Sequence, residues 1–275
     1  MKDERTDRAT ETHGDAEEKR LSDSRITGPA ITPSPVMAVS DLRILLWDID
    51  GTLIRSVRTG AYKVYTIPAL EDVFGTSGQL GQMRVSGMTD LQIIGEALHS
   101  EGFTHDDIHE RLDQLRERFM EEMKEATGNG EQFFEVLPGV PEVLQAIANH
   151  PRYRSALLTG NFEQAAYLKM ELVALAHFFR LPGAFGDESH NRSDLPAIAA
   201  ERIRQHLQVD FEPRQFIVIG DTPNDVACAR HFGARALAVG TGRLFTTEEM
   251  LACKPDAWLP DLADVELVLQ TLDEL

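Results

Sequence analysis

Asp48 and Asp50 are separated by a single residue, Ile49, and are followed directly by Gly51 and Thr52. Side chains two apart on an extended chain project to the same face, so both carboxylates can serve one site. Two carboxylates forced together repel, and a bound cation or a shared proton has to resolve the conflict. Two other stretches have the same form, an apolar run that breaks into polar residues. Tyr153 to Leu158 runs into Thr159-Gly160-Asn161, and Phe216 to Ile219 runs into Gly220-Asp221-Thr222-Pro223-Asn224-Asp225. Acids gathered with no basic cluster beside them point to a hard cation held by oxygen ligands. Magnesium suits such a set better than zinc, because no His or Cys pairs are spaced for zinc. The bland alternative for the first pair is a strand followed by a solvated Asp-Gly turn, which is common.

These groups converge only if the elements before them share one edge. The stretch Leu42 to Arg55 reads as a buried central strand ending in the two acids. From Leu137 the chain alternates helix and strand: a helix opened by Pro141, a strand from Tyr153, and a helix after Asn161 with Tyr167, Leu168, Leu172 and Leu175 on one side. Next come a helix opened by Asp194 and Pro196, the strand Phe216 to Ile219, and a helix from Pro223 to Phe232 that stops at Gly233. The chain closes with a strand from Ala236 to Val239, a capping box at Thr246-x-x-Glu249, a short strand near Trp258 and a helix from Val265 to Leu272. Such alternation implies an α/β fold, a Rossmann-like parallel sheet with helices on both faces. Every strand exit then lies on one edge, where ligands bind.

Between the first strand and residue 137 the pattern turns helical. Ile108, Leu112, Leu115, Phe119 and Met123 recur at three- and four-residue spacing and predict one amphipathic helix. A second is expected from Asp90, as cap, through Leu98, stopped by Gly102. The Met and Phe stripe reads as packing, not as a ligand box. The division that follows is a core over residues 40–58 and 137–275 and a helical insertion of about 80 residues, 59–136, longer than an ordinary loop. Residues 1–39 are expected to be a disordered tail, rich in charge, Ser, Thr, Gly and Pro; a translation start at Met37 would account for them as well.

The chain has 275 residues, 42% hydrophobic and 26% charged, with a formal net charge of −18, enough to bury a core plus a smaller domain. That charge argues against nucleic acid and anionic membranes as partners. It also means that any phosphate site needs local cations to offset the field. Cys228 and Cys253 make no disulfide framework and read as small buried hydrophobes. No apolar run is long enough to span a membrane, and the first 20 residues are too charged for a secretory signal. A cytoplasmic location is the expectation; oligomeric state is not legible.

With these residues in place, the chain resembles the haloacid dehalogenase superfamily across residues 42 to 240. Asp48-x-Asp50-Gly51-Thr52 matches that family's first motif, Thr159 the second, and Gly220-Asp221-x-x-x-Asp225 the fourth. The insertion resembles its mobile helical cap. Any one match is common; in order, on strand ends, they are specific. The resemblance implies that Asp48 is a nucleophile forming an aspartyl phosphate and that Asp50 protonates the leaving oxygen and later deprotonates water. It implies Mg2+ held by Asp48, the Asp50 carbonyl and Asp221, with Asp225 holding metal-bound water, and Thr159 donating to a phosphoryl oxygen. Substrate donors are expected along Thr52, Gly160 and Asn161.

The third motif departs from the pattern. The family usually offers a lysine there, yet no lysine occurs between Lys169 and Lys254. Arg192 stands in the expected place and can pair with phosphate and with Asp48; a surface arginine near a helix start is the alternative. Arg180 and Arg202 are poorer candidates. Specificity is expected from Arg84, Ser86, Gly87 and Met88, a loop able to dip into the site on cap closure. Arg55 and Arg58 follow the first motif and, with that loop, hint at an anionic substrate. His99, His105 and His109 fall on polar helical positions and receive no role. The expected activity is Mg-dependent hydrolysis of a small phosphorylated metabolite, with phosphoglycolate phosphatase as the nearest type. The alternatives are a sugar-phosphate mutase, less readily a dehalogenase, whose representatives lack the second acid, or a non-catalytic binding module.

Overall fold

The computed structural model describes residues 39–58 and 60–275. The expected tail, 1–39, therefore lies outside the described residues apart from Val39. Five strands form one parallel sheet: β1 (Arg43–Trp47), β4 (Tyr153–Leu157), β5 (Phe216–Gly220), β6 (Arg235–Val239) and β7 (Ala257–Leu259), in the order β4-β1-β5-β6-β7. A separate antiparallel pair joins β2 (Ile54–Ser56) to β3 (Phe134–Val136).

Alternation within the strands builds two apolar layers. Leu45 and Trp47 of β1 share one face with Ile217, Ile219, Leu237 and Val239. Ile44 and Leu46 point the other way, with Phe216, Val218, Ala236 and Ala238. Burying a side chain of this size contributes about 1.5–3 kcal/mol. The first layer is covered by α5 (Val140–Asn149) through Val143, Leu144 and Ile147, and by α10 (Val265–Glu274) through Val268 and Leu272. The second is covered by α7 (Leu195–Leu207) through Leu195, Ala199 and Ile203, and by α8 (Pro223–Phe232) through Val226 and Ala229. The sheet is thus covered on both sides, and β1, buried on both faces, carries none of the polar alternation of a half-exposed strand.

Register sets the working edge. Trp47 pairs with Leu157 on one side and Ile219 on the other, and the Asp48 amide donates to the Ile219 carbonyl at 2.9 Å. The chain passes from β1 to β4 on one side and to β5 on the other, so β1 is the switch point where a crevice opens at the carboxyl ends.

The segment between β2 and β3 holds α1 (Tyr62–Phe74), α2 (Asp90–His99), α3 (His105–Glu110) and α4 (Leu112–Thr127). Tyr65, Leu70, Ile94, Leu98, Leu115 and Phe119 bury continuously with the first apolar layer. Two expectations are corrected. The single helix through Ile108 and Met123 is two, broken at Arg111, whose φ of −110° and ψ of 10° leave the helical region. The cap of α2 is Thr89, whose hydroxyl accepts from the Gln92 amide at 3.1 Å; Asp90 is helical and buried. Among the described residues no helix is long and apolar enough to cross a membrane. Cys228 is buried and Cys253 only half-buried.

Candidate active site

At the end of β1 the chain passes through Asp48-Ile49-Asp50 and reverses at Gly51. The Gly51 φ of +94° is costly for any side chain, and a Cβ there would lie 2.3 Å from Asp221 Oδ2. The glycine thus makes the turn and lets the Asp221 carboxylate approach the backbone. Thr52, fully buried, donates to Asp221 Oδ1 at 3.2 Å. This places Thr52 beneath the acid and off the cavity wall.

Asp48, Asp221 and Asp225 are all buried, and one oxygen from each lies within 4.8 Å of the others. Arg192 comes in from the turn before α7 and is itself buried, 6% exposed. Its Nη2 donates to Asp48 Oδ1 at 2.7 Å and to Asp225 Oδ1. Asp225 has a second duty: its Oδ2 accepts from the Thr222 amide at 3.0 Å and hydroxyl at 2.6 Å, closing the capping box of α8. Burial pushes the Asp48 carboxyl up to about 7 against the pull of Arg192, with Asp225 adding to the rise. Asp221 is raised well above the usual range by burial and by Asp48 and Asp225. One guanidinium cannot balance three buried carboxylates, and this all-oxygen donor set fits a hard divalent cation such as Mg2+.

Thr159 follows β4 with its side chain buried. Its Oγ1 accepts from Asn161 Nδ2 at 2.7 Å, which leaves the hydroxyl proton for an outside acceptor. Asn161 Nδ2 also donates to Asp50 Oδ2 at 2.8 Å. Sequence reasoning missed the next member, Lys169 of α6 (Glu163–Leu172), whose Nζ donates to Asp50 Oδ2 at 2.6 Å and to Asn161 Oδ1 at 2.7 Å. The expected inner face of α6 is also corrected: Ala165, Ala166, Lys169 and Met170 are buried, while Leu172 is 48% exposed. The available signal was a lysine at helical spacing from Phe162, Ala165 and Ala166.

These side chains face a cavity of about 410 Å3, within the range of small-molecule sites. Asp48, Asp50, Thr159, Gly160, Asn161 and Arg192 line it from the core; Tyr62, Tyr65, Arg84, Gly87, Met88 and Ile93 line it from the insertion. Arg55 and Arg58 also border it but are paired with Glu135 and Glu131. Arg84 is exposed and makes no ion pair to a described residue.

The loop before α2 lies against the core. The Gly87 carbonyl accepts from Asn224 Nδ2 at 2.7 Å. Gly87, at a φ of +77°, sits so close that a Cβ would come within 2.8 Å of Thr222 Oγ1. The Asp90 amide donates to the Gly160 carbonyl at 2.7 Å, and Asp90 Oδ2 accepts from the Phe162 amide at 2.8 Å. Burial pushes the Asp90 carboxyl up to about 7, with the Phe162 amide and Lys169 opposing. A carboxyl raised by folding contributes stability in full below its ordinary value of 3.8 and loses it as pH rises through about 7. Asp90→Asn keeps an acceptor for Phe162 without that cost. In metal-free denaturant melts, its stability relative to the unmodified protein should rise by roughly 3 kcal/mol from pH 5 to pH 8; a constant difference would contradict the burial argument.

The family model for haloacid dehalogenase-like hydrolases matches residues 42–233. No curated protein matches the chain. Among solved structures, a predicted phosphoglycolate phosphatase of Haemophilus somnus is 20% identical with a TM-score of 0.59, over 85% of this chain and 100% of that one. A predicted phosphatase of Clostridium acetobutylicum is 17% identical with a TM-score of 0.59, over 85% and 99%. A β-phosphoglucomutase of Clostridium difficile is 14% identical with a TM-score of 0.58, over 85% and 98%. At such identities these likenesses speak to the fold, whereas the family match spans most of the chain and takes in the three strand ends that carry the acids and Thr159. On that match the chain belongs to the haloacid dehalogenase-like hydrolase family.

Proposed function

We propose that the protein is a magnesium-dependent phosphomonoesterase acting on a small phosphorylated metabolite, with phosphoglycolate phosphatase as the nearest functional type. The observation that carries this reading is the setting of Asp48. It is a buried carboxylate on the cavity floor, held at 2.7 Å by a buried guanidinium, with Asp50 and Thr159 on the same floor.

The chemistry follows from those positions. An oxygen of ionised Asp48 attacks phosphorus, forming an O–P bond as the ester P–O bond breaks. Asp50 gives its proton to the departing oxygen; later it takes one from the water that cleaves the aspartyl phosphate. The Thr159 hydroxyl donates to a phosphoryl oxygen, and Arg192 holds the nucleophile while opposing the charge of phosphate in a strongly acidic chain. Asp48, the Asp50 carbonyl, Asp221 and Asp225 would hold Mg2+, which when bound neutralises charge developing at the phosphoryl group. Asp50 and the buried acid triad disfavour a dehalogenase.

Phosphate release from a panel of small phosphate esters tests the reading. Release should require magnesium, fall by at least about 100-fold after chelation and return when the ion is restored. No release from any ester with magnesium present would reject the phosphatase. A sugar phosphate with a bisphosphate primer would then test the mutase, a reading favoured by the likeness to β-phosphoglucomutase; inertness there as well would leave a binding module.

A further inference from the structure

We propose that Lys169 is a positioning residue that holds Asp50 in the orientation its proton transfers need. The inference rests on the phosphatase reading and adds to it a member outside the four motifs.

Asp50 stands on the reversal between β1 and β2 with its side chain 42% exposed, while the Lys169 side chain is 3% exposed. An aspartate that open has several rotamers available. Two donors remove the choice: Lys169 Nζ at 2.6 Å and Asn161 Nδ2 at 2.8 Å both reach Oδ2. No described residue donates to Oδ1, so that oxygen is left for the substrate. Oδ2 accepts in both protonation states, so the same two donors can hold the carboxyl before and after each transfer, with the proton that Asp50 gives and regains on Oδ1.

The fold does not call for the ammonium. Lys169 lies on the inward face of α6 beside Ala165, Ala166 and Met170, where an apolar side chain would pack without the cost of burying a charge. Its bonds run to Asp50 and to Asn161, which in turn bonds Thr159, and its Nζ lies 5.5 Å from the centre of the Phe134 ring. Lys169 therefore ties together the two loops that deliver Asp50 and Thr159.

Leaving-group dependence separates positioning from structural support. A p-nitrophenolate departs without a proton, whereas an alkoxide needs one, and kcat/KM reports the step in which the ester bond breaks. With saturating magnesium, Lys169→Met should lower kcat/KM by about 30-fold on an alkyl phosphate and by less than about 3-fold on p-nitrophenyl phosphate. The alkyl loss should appear in kcat with KM little changed, and Lys169→Arg should recover most of it. Equal losses on the two esters, a loss confined to KM, or no loss would overturn the proposal. If Lys169→Met does not fold, Lys169→Gln, which keeps a neutral donor, is read by the same ratio, and an unchanged ratio overturns it too. Absence of turnover by the unmodified protein would reject the phosphatase reading together with this one. Turnover by the unmodified protein with equal losses in the variants would reject the positioning role alone.

Discussion

Asp48→Asn should fold normally and lose at least about 10⁴-fold in magnesium-dependent phosphate release, the scale seen when a nucleophile is removed. The substitution is nearly isosteric. Asparagine Oδ1 can still accept from Arg192 Nη2, and Arg192 keeps its bond to Asp225. What disappears is the charge and the attacking oxygen. Because burial works against ionised Asp48 beside Asp225, the metal-free variant should melt no lower than the unmodified protein and the rise in Tm on adding magnesium should shrink. Loss of activity with Tm preserved assigns the effect to chemistry. A variant retaining more than a hundredth of the activity would remove Asp48 from the nucleophile's place.

How much of this site could be read in the sequence varied with how each residue is positioned. Asp48, Thr159 and Asp221 sit at or just past the ends of apolar strands, and parallel pairing gathers such exits on one edge whatever their separation in sequence. Lys169 gave no such cue. Tyr167, Leu168, Leu172 and Leu175 offered α6 one apolar face and Ala165, Ala166 and Met170 a smaller one. A lysine on the smaller face argues against its burial, and only the partner Asp50, distant in sequence, makes that face the inward one. The break at Arg111 was hidden because the spacing of Ile108, Leu112 and Leu115 continues across it. Likewise Thr89 and Asp90 are both good caps and both end up buried, and only the contacts of Asp90 with Gly160 and Phe162 leave the cap to Thr89. The strands β2 and β3 went unread because three residues are too few to show alternation.

Arg192 distinguishes the need for a cation from the need for a guanidinium. Arg192→Met would leave Asp48 and Asp225 buried without their positive partner, an effect worth about 3–5 kcal/mol when one member of a buried pair is removed. Part of that cost is relieved if Asp48 takes up a proton, as its burial already favours, so the metal-free variant should sit near the lower figure. Added magnesium should recover much of the stability, since it meets the same two acids, but not the activity. Turnover should stay down by about 10²–10³-fold, because the phosphoryl group loses a fixed opposing charge. Arg192→Lys should behave differently. In the structure one nitrogen, Nη2, bonds both Asp48 and Asp225, a task that a single ammonium can perform, and lysine is the residue the family usually places here. Turnover within about tenfold of the unmodified protein is the expected outcome. Denaturant melts with and without magnesium, set beside phosphate release for both variants, measure the two effects separately. If the lysine variant were as inactive as the methionine variant, the planar fork and longer reach of arginine would be required at the phosphate, and a point charge would not be enough.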